Sequence, residues 1–182
     1  MDHLDSGRAP TPDPFHNPAG LGIHPGSAIY GAGMDLDLVI ARLELRDLID
    51  GYARAADRRD RVAFEALFLP DATMSVHRPG AEPHTYRGSG HIGEIVPQLE
   101  RYASTFHLVA NHWCVVDRGR GTGESYCQAH HVRTGDGSDP AIDLILTIRY
   151  LDTYAQAGGA WRFASRQVHI LWTSEVALAS GP

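Results

Sequence analysis

Asp57 is the residue whose position asks for a chemical explanation. Leu45, Leu48, Ile49, Tyr52, Ala53 and Ala56 recur at helical spacing and make one apolar stripe. Asp57 lies on the flank of that stripe, in the last turn of the helix. The C-terminal end of a helix carries partial negative charge, so a carboxylate is disfavoured there. Either Asp57 is solvated and paired with Arg58 or Arg61, or it serves some other purpose. The chain has eleven histidines, and imidazole is the side chain that titrates near neutrality. His107 is the first candidate among them, because such a ring can take a proton and later return it. The plain alternative is a satisfied core histidine on a half-buried strand.

Other residues could complete a site. Tyr52 stands one and a half turns before Asp57, and its hydroxyl could act as acid or oxyanion donor on a pocket floor. It could equally be a core tyrosine. His130 and His131 are adjacent on a strand, so at most one faces inward. Cys127, Ala129 and His131 form the less polar face, which favours His131. Turn geometry leaves the choice open: a two-residue turn at Arg120-Gly121 puts His130 on the face of His107, and a three-residue turn puts His131 there. His130 is kept as a substrate contact. Asn111 and Trp113 share the parity of His107 and are expected to line the pocket. Arg166 could hold a substrate carboxylate or phenolate, although a strand arginine is more often a solvated ion-pair partner. Cys114 and Cys127 are read as reduced thiols that face each other across a hairpin. No H-x-x-x-H helix motif and no cysteine pair at ligand spacing is present, so no metal site is expected.

These residues need elements to position them. A first helix is expected over about 35–57, and Asp60 looks like the N-cap of a short helix over 62–69 that Pro70 stops. A strand over 71–77, a turn at Pro79-Gly80 and a return strand over 84–87 follow. A third helix starts at Ser89 or Gly90 and ends near Tyr102. Four long strands come next, over 105–117, 121–134, 142–154 and 161–176. Helices followed by a run of strands indicate an α+β fold, with three N-terminal helices packed on one face of a curved antiparallel sheet. A cone-shaped barrel of this kind leaves an apolar pocket between sheet and first helix.

With 182 residues, the chain is one domain or one domain plus an arm. Residues 1–33 hold five of the eleven prolines and no period, and read as an extended arm. The domain itself would span 34–182. A net charge of −6 gives a nucleic-acid partner no electrostatic support. No apolar run is long enough to span a bilayer, and no secretory signal is recognisable. A cytoplasmic location is expected.

The order of elements, with certain residues in it, resembles the SnoaL-like branch of the nuclear transport factor 2-like superfamily. The matching pieces are Tyr52-Ala-Arg-Ala-Ala-Asp-Arg-Arg-Asp60, Ala66-Leu-Phe-Leu-Pro-Asp-Ala72, Thr105-Phe-His-Leu-Val-Ala-Asn111, Tyr126-Cys-Gln-Ala-His-His131, Ile148-Arg-Tyr-Leu-Asp152 and Trp161-Arg-Phe-Ala-Ser-Arg166. The resemblance covers about residues 36–173. Fold alone does not settle function here, because this fold hosts many activities. The most similar subgroup contains scytalone dehydratase and bile-acid 7α-dehydratase. There, an Asp ending the first helix pairs with a His on the first long strand, which implies an Asp57–His107 pair. Tyr52 and Arg166 match features of the bile-acid enzyme, and His130 or His131 matches a second His of scytalone dehydratase. The Tyr that precedes the Asp in scytalone dehydratase is replaced by Ala56.

The resemblance implies a dehydratase that needs no cofactor and acts on a small, apolar, ring-containing molecule. His107 would be the base, Asp57 would orient it, and Tyr52 or His131 would protonate the leaving oxygen. A natural-product cyclase or isomerase using the same pair is the alternative, and a non-catalytic binding or assembly domain is the rival from another class. The superfamily also implies a homodimer.

Overall fold

The structure is a computed structural model that describes residues 35–135 and 140–179. The expected arm over 1–33 lies outside the described residues. The elements in order are α1 (Leu36–Asp57), α2 (Arg61–Ala66), β1 (Phe68–His77), β2 (His84–Arg87), α3 (Ser89–Gly93), α4 (Ile95–Gln98), a 3-10 turn (Leu99–Arg101), β3 (Ser104–Asp117), β4 (Arg120–Arg133), β5 (Ile142–Ala157) and β6 (Ala160–Ala177). The class is α+β, as the element order implied.

Helix α1 buries the expected stripe, with Leu45 and Ile49 fully enclosed. It packs chiefly on β3 and touches β6. Asp60 caps α2, its side chain accepting the Ala63 N–H at 2.9 Å. Two boundaries differ from expectation. Helix α2 ends at Ala66, and Phe68–Pro70 is already strand, because Phe68 turns into the core and its strand pairs with Phe163 of β6. The expected third helix is divided into α3, α4 and the 3-10 turn. Pro97 has no N–H to continue the helical ladder, and Gly90 and Gly93 weaken it further.

The sheet runs β2-β1-β6-β5-β4-β3 and is not closed. Its long strands form the expected meander. One junction departs from an antiparallel sheet: β1 and β6 are parallel, so the sheet is mixed. These strands are far apart in sequence, and no hairpin dictates their relative direction. The inner face carries Cys127, Ala129, Ile148, Tyr150, Phe163 and Val168 against the helices.

Register at the β3–β4 hairpin decides which histidine faces the helices. The turn is two residues long, Arg118-Gly119, between paired Asp117 and Arg120. Both turn residues have positive φ, 46° and 73°, the conformation that matches the twist of the flanking strands. A regular ladder from that turn would set His107 opposite His130. Instead the pairing slips by one residue between Ala110 and Trp113. This is a β-bulge, with Asn111 in the left-handed region at φ 49°. Beyond it, His107 lies opposite Ala129 and Thr105 opposite His131. Strand β4 keeps its odd-numbered residues inward throughout, so the bulge in β3 puts His107 on the inward face that His131 shares, and His130 faces outward.

Candidate active site

Strand β3 is an outer strand of the sheet, and such strands leave backbone groups without ladder partners. The C-terminal end of α1 supplies one. Asp57 Oδ2 accepts the His107 backbone N–H at 2.9 Å, while Oδ1 lies 2.6 Å from His107 Nδ1. Three turns earlier, Arg46 Nη2 donates to the Val109 carbonyl at 3.1 Å. The helix then terminates in a Schellman arrangement: Asp60 N–H donates to Ala55 and Arg59 N–H to Ala56, at 2.9 and 3.1 Å. Arg59 takes the left-handed position, at φ 54°. Its guanidinium donates to the carbonyls of Leu99 and Tyr102, at 3.3 and 2.7 Å. One helix end thus holds both His107 and the segment that carries Tyr102.

The electrostatics of the pair are directional. Burial opposes ionisation of Asp57, but hydrogen bonds from the His107 ring and backbone more than offset it, and its pKa falls below the ordinary carboxylate value. An ionised carboxylate can only accept, so His107 Nδ1 carries the hydrogen. The Nε2 lone pair of neutral His107 is then the basic position. The His107 side chain is only 8% exposed and that of Asp57 24%.

His131 meets the edge of His107, with ring centroids 5.5 Å apart. Burial, together with the nearby charges of His107 and Arg101, lowers its pKa from 6.5 to about 4. It is therefore a neutral imidazole at neutral pH. Tyr102 packs on its other side at 4.7 Å. Tyr102 is also a wall of a cavity of about 740 Å³, whose apolar lining includes Leu144, Leu146, Ile170 and Trp172. Leu144 and Leu146 are the β5 partners of His131 and Ala129. Neither Asp57 nor His107 lines this cavity. The Tyr102 and His131 rings stand between it and His107.

The remaining expected site residues are placed elsewhere. Tyr52 is in an aromatic cluster with Phe64, Phe68, Tyr150 and Phe163. Burial raises its pKa to about 12, against the lowering effect of Arg166, which makes it a core tyrosine. Arg166, expected to reach a substrate anion, is buried and committed to Asp152: Nε donates to Oδ1 and Nη2 to Oδ2, each at 2.8 Å. Its guanidinium packs on Tyr52, Tyr150 and Phe163, at 4.1, 4.2 and 4.1 Å from their centroids. Burial alone would lower its pKa, and the Asp152 charge more than reverses this. His130 faces away from the helices, where its Nδ1 is 2.6 Å from Asp143 Oδ2. Asn111 is exposed within the bulge, and Trp113, past it, lies on the outer face and is 38% exposed. The bulge reverses the strand's alternation, so His112 and Cys114 turn inward instead. Cys114 lies opposite Gly123 and Cys127 opposite Val109, so the two free thiols do not face each other.

Sequence reasoning did not single out Tyr102 as a cavity wall, nor the inward turn of His112. Asn111 offered a signal for the second, since Asn is among the residues that tolerate the left-handed conformation a bulge can require. Among the described residues, no group of three or more His, Cys, Asp or Glu side chains could hold a metal. Among them, no helix is long and apolar enough to cross a membrane.

The comparisons with known proteins agree with this architecture. Residues 38–167 match the model of the SnoaL-like domain, and the chain belongs to that family. No curated protein matches the sequence. Among solved structures, a candidate scytalone dehydratase from Novosphingobium aromaticivorans superposes with a TM-score of 0.68 at 19% identity, covering 81% of this chain and 95% of that one. A hexachlorocyclohexane dehydrochlorinase of the LinA type 2 form gives 0.66 at 16% identity, over 82% of this chain and 98% of that one. A Mycobacterium tuberculosis protein of unknown function gives 0.62 at 21% identity, over 82% and 80%. At these identities the likeness is one of fold.

Proposed function

We propose that the protein is a lyase that eliminates water, or a comparable leaving group, from a small ring-containing molecule by general acid/base catalysis. The observation that carries this reading is the 2.6 Å contact between Asp57 Oδ1 and His107 Nδ1, which leaves His107 Nε2 as a base. His107 takes a proton from the carbon next to a carbonyl, and the electron pair left behind forms an enolate. Asp57 stabilises the imidazolium that results. Collapse of the enolate forms the carbon–carbon double bond and expels hydroxide, which takes the proton back from His107 and leaves as water. Neutral His131 donates a hydrogen bond to the substrate oxygen on which charge develops. Tyr52 has no part in this scheme, since its core position and raised pKa make it a poor proton donor. The dehydratase and dehydrochlorinase named among the similar structures are both agents of elimination, which supports the reaction type.

The test is turnover of a panel of cyclic β-hydroxy ketones, followed by absorbance of the enone product. Asp57→Asn and His107→Ala are each expected to lose about 10²-fold or more. Retained turnover in both variants would overturn the mechanism. We also propose that the outer sheet face mates with a second copy. Phe106, Leu108 and Val115 stand 56%, 52% and 46% exposed there, an apolar surface of the kind that marks interfaces. Light scattering coupled to size exclusion reads the mass, and a monomer at micromolar concentration would count against the dimer.

A further inference from the structure

The cavity beside His131 has a second chemical character. Besides its apolar floor, three of its walls are Arg78, Arg101 and Arg133, and none of the described residues that line it is acidic. The chain as a whole carries a net charge of −6, so this cluster of cations is a local departure and not the general background. The three arginines come from separate parts of the chain: the β1–β2 connection, the 3-10 turn and the end of β4. Folding alone brings them to one opening.

Their pairing differs. Arg133 is shared with Glu175 on the neighbouring surface. Arg101 has its guanidinium 5.0 Å from the Tyr102 ring centroid, a contact that orients the charge without neutralising it. The Arg78 side chain has no ion pair among the described residues, although it is exposed and free to swing. Arg101 also lies close enough to His131 to depress its basicity, so the cationic rim and the inner histidines are electrically coupled. Guanidinium groups bind carboxylates through paired N–H donors, which fixes direction as well as position.

We infer that the substrate is an anion, an apolar ring system bearing a carboxylate, and that Arg78 and Arg101, assisted by Arg133, hold that carboxylate at the cavity mouth. The ring lies on Leu144, Leu146 and Ile170, and its far end points past Tyr102 toward His131 and His107. A volume of about 740 Å³ is within the usual range for sites that enclose a molecule of two or three fused rings. This rests on the elimination reading only for the orientation of the bound molecule. The anion preference belongs to the cavity itself.

The experiment uses a matched pair of probes, 2-naphthoate and its neutral analogue 2-naphthamide, titrated by calorimetry into the full chain. The naphthoate is expected to bind about 10-fold or more tightly than the amide at low salt, the usual scale of a charge-assisted contact. That preference should shrink as salt rises, because the rim is exposed. In the Arg78→Gln/Arg101→Gln double variant, naphthoate affinity should fall at least about 10-fold while the amide changes little. Both positions are on the surface, so the variant is expected to fold, and circular dichroism verifies it. Equal affinity for the two probes, a preference unchanged in the double variant, or no binding of either would overturn the inference. The same titration on His107→Ala separates this inference from the mechanism. A preserved naphthoate preference there upholds the anion site even if turnover assays have already removed His107 from the chemistry.

Discussion

Asp57 grips His107 twice, once through the backbone N–H at 2.9 Å and once through ring Nδ1 at 2.6 Å. The two contacts do different things. The first satisfies an edge-strand donor, and the second sets a tautomer.

Substitutions at position 57 should separate the two roles. Asp57→Asn keeps a side-chain oxygen for the backbone N–H but loses the charge. Turnover should fall about 10²- to 10⁴-fold, with a modest change in the urea midpoint. Asp57→Ala also removes the acceptor, and an unsatisfied donor costs about 1–3 kcal/mol where water cannot replace it. Equal stability loss in both variants would mean that the edge contact contributes nothing separate.

Acid should destabilise the protein through His131. Its folded pKa, about 4, lies below the ordinary 6.5. Between these values the unfolded chain binds a proton that the folded chain refuses, so stability falls as pH drops through the window. The loss should be on the order of 3 kcal/mol when pH reaches the lower end. Asp57, with its pKa lowered below 3.8, adds its own loss only under stronger acid. Urea midpoints measured from pH 7 to pH 4.5 should decline less in His131→Gln than in the wild type. Parallel curves would remove His131 as the source.

Arg166→Met should be among the most damaging single changes. It leaves the Asp152 carboxylate buried without its ion pair, a situation that costs about 3–5 kcal/mol. Adding Asp152→Asn to that variant should recover part of the loss, because the stranded charge disappears. Chemical denaturation of the two variants and the pair reads this directly. A stable Arg166→Met would show that the aromatic packing suffices alone.

The bulge can be tested at Asn111, whose φ is 49°. Asn111→Gly should be neutral within about 1 kcal/mol, since glycine accepts that conformation freely. Asn111→Val should lose about 1–2 kcal/mol, because a branched side chain does not. If valine is tolerated in a thermal melt, the strand has an alternative register that costs little.

The helix α1 stripe and the long meander were legible because periods of 3.6 and 2 survive in the residues themselves. The Asp57–His107 pairing came with the family resemblance, since fifty residues separate the two and no local pattern joins them. The inward face of β4 was not legible from turn length. A two-residue turn at Arg118-Gly119 argues for His130, and one bulged residue reverses the answer. Arg166 misled for a different reason. An arginine on a strand is ordinarily solvated, and only the neighbouring strand's Asp152 together with three aromatic rings makes its burial tolerable. Tyr102 carried no mark at all, because its importance lies in the ring it touches.

The outer strand β3 has a further consequence. A bare strand edge invites pairing with another chain, and Asp57 and Arg46 occupy backbone groups that such pairing would use. The acid of the proposed dyad is thus also a guard against self-templated aggregation. A descendant that had lost its chemistry would be free to discard His107, yet would still gain from keeping Asp57. An aspartate at this helix end, taken alone, is therefore a sign of a protected edge, and only its histidine partner makes it a sign of an enzyme.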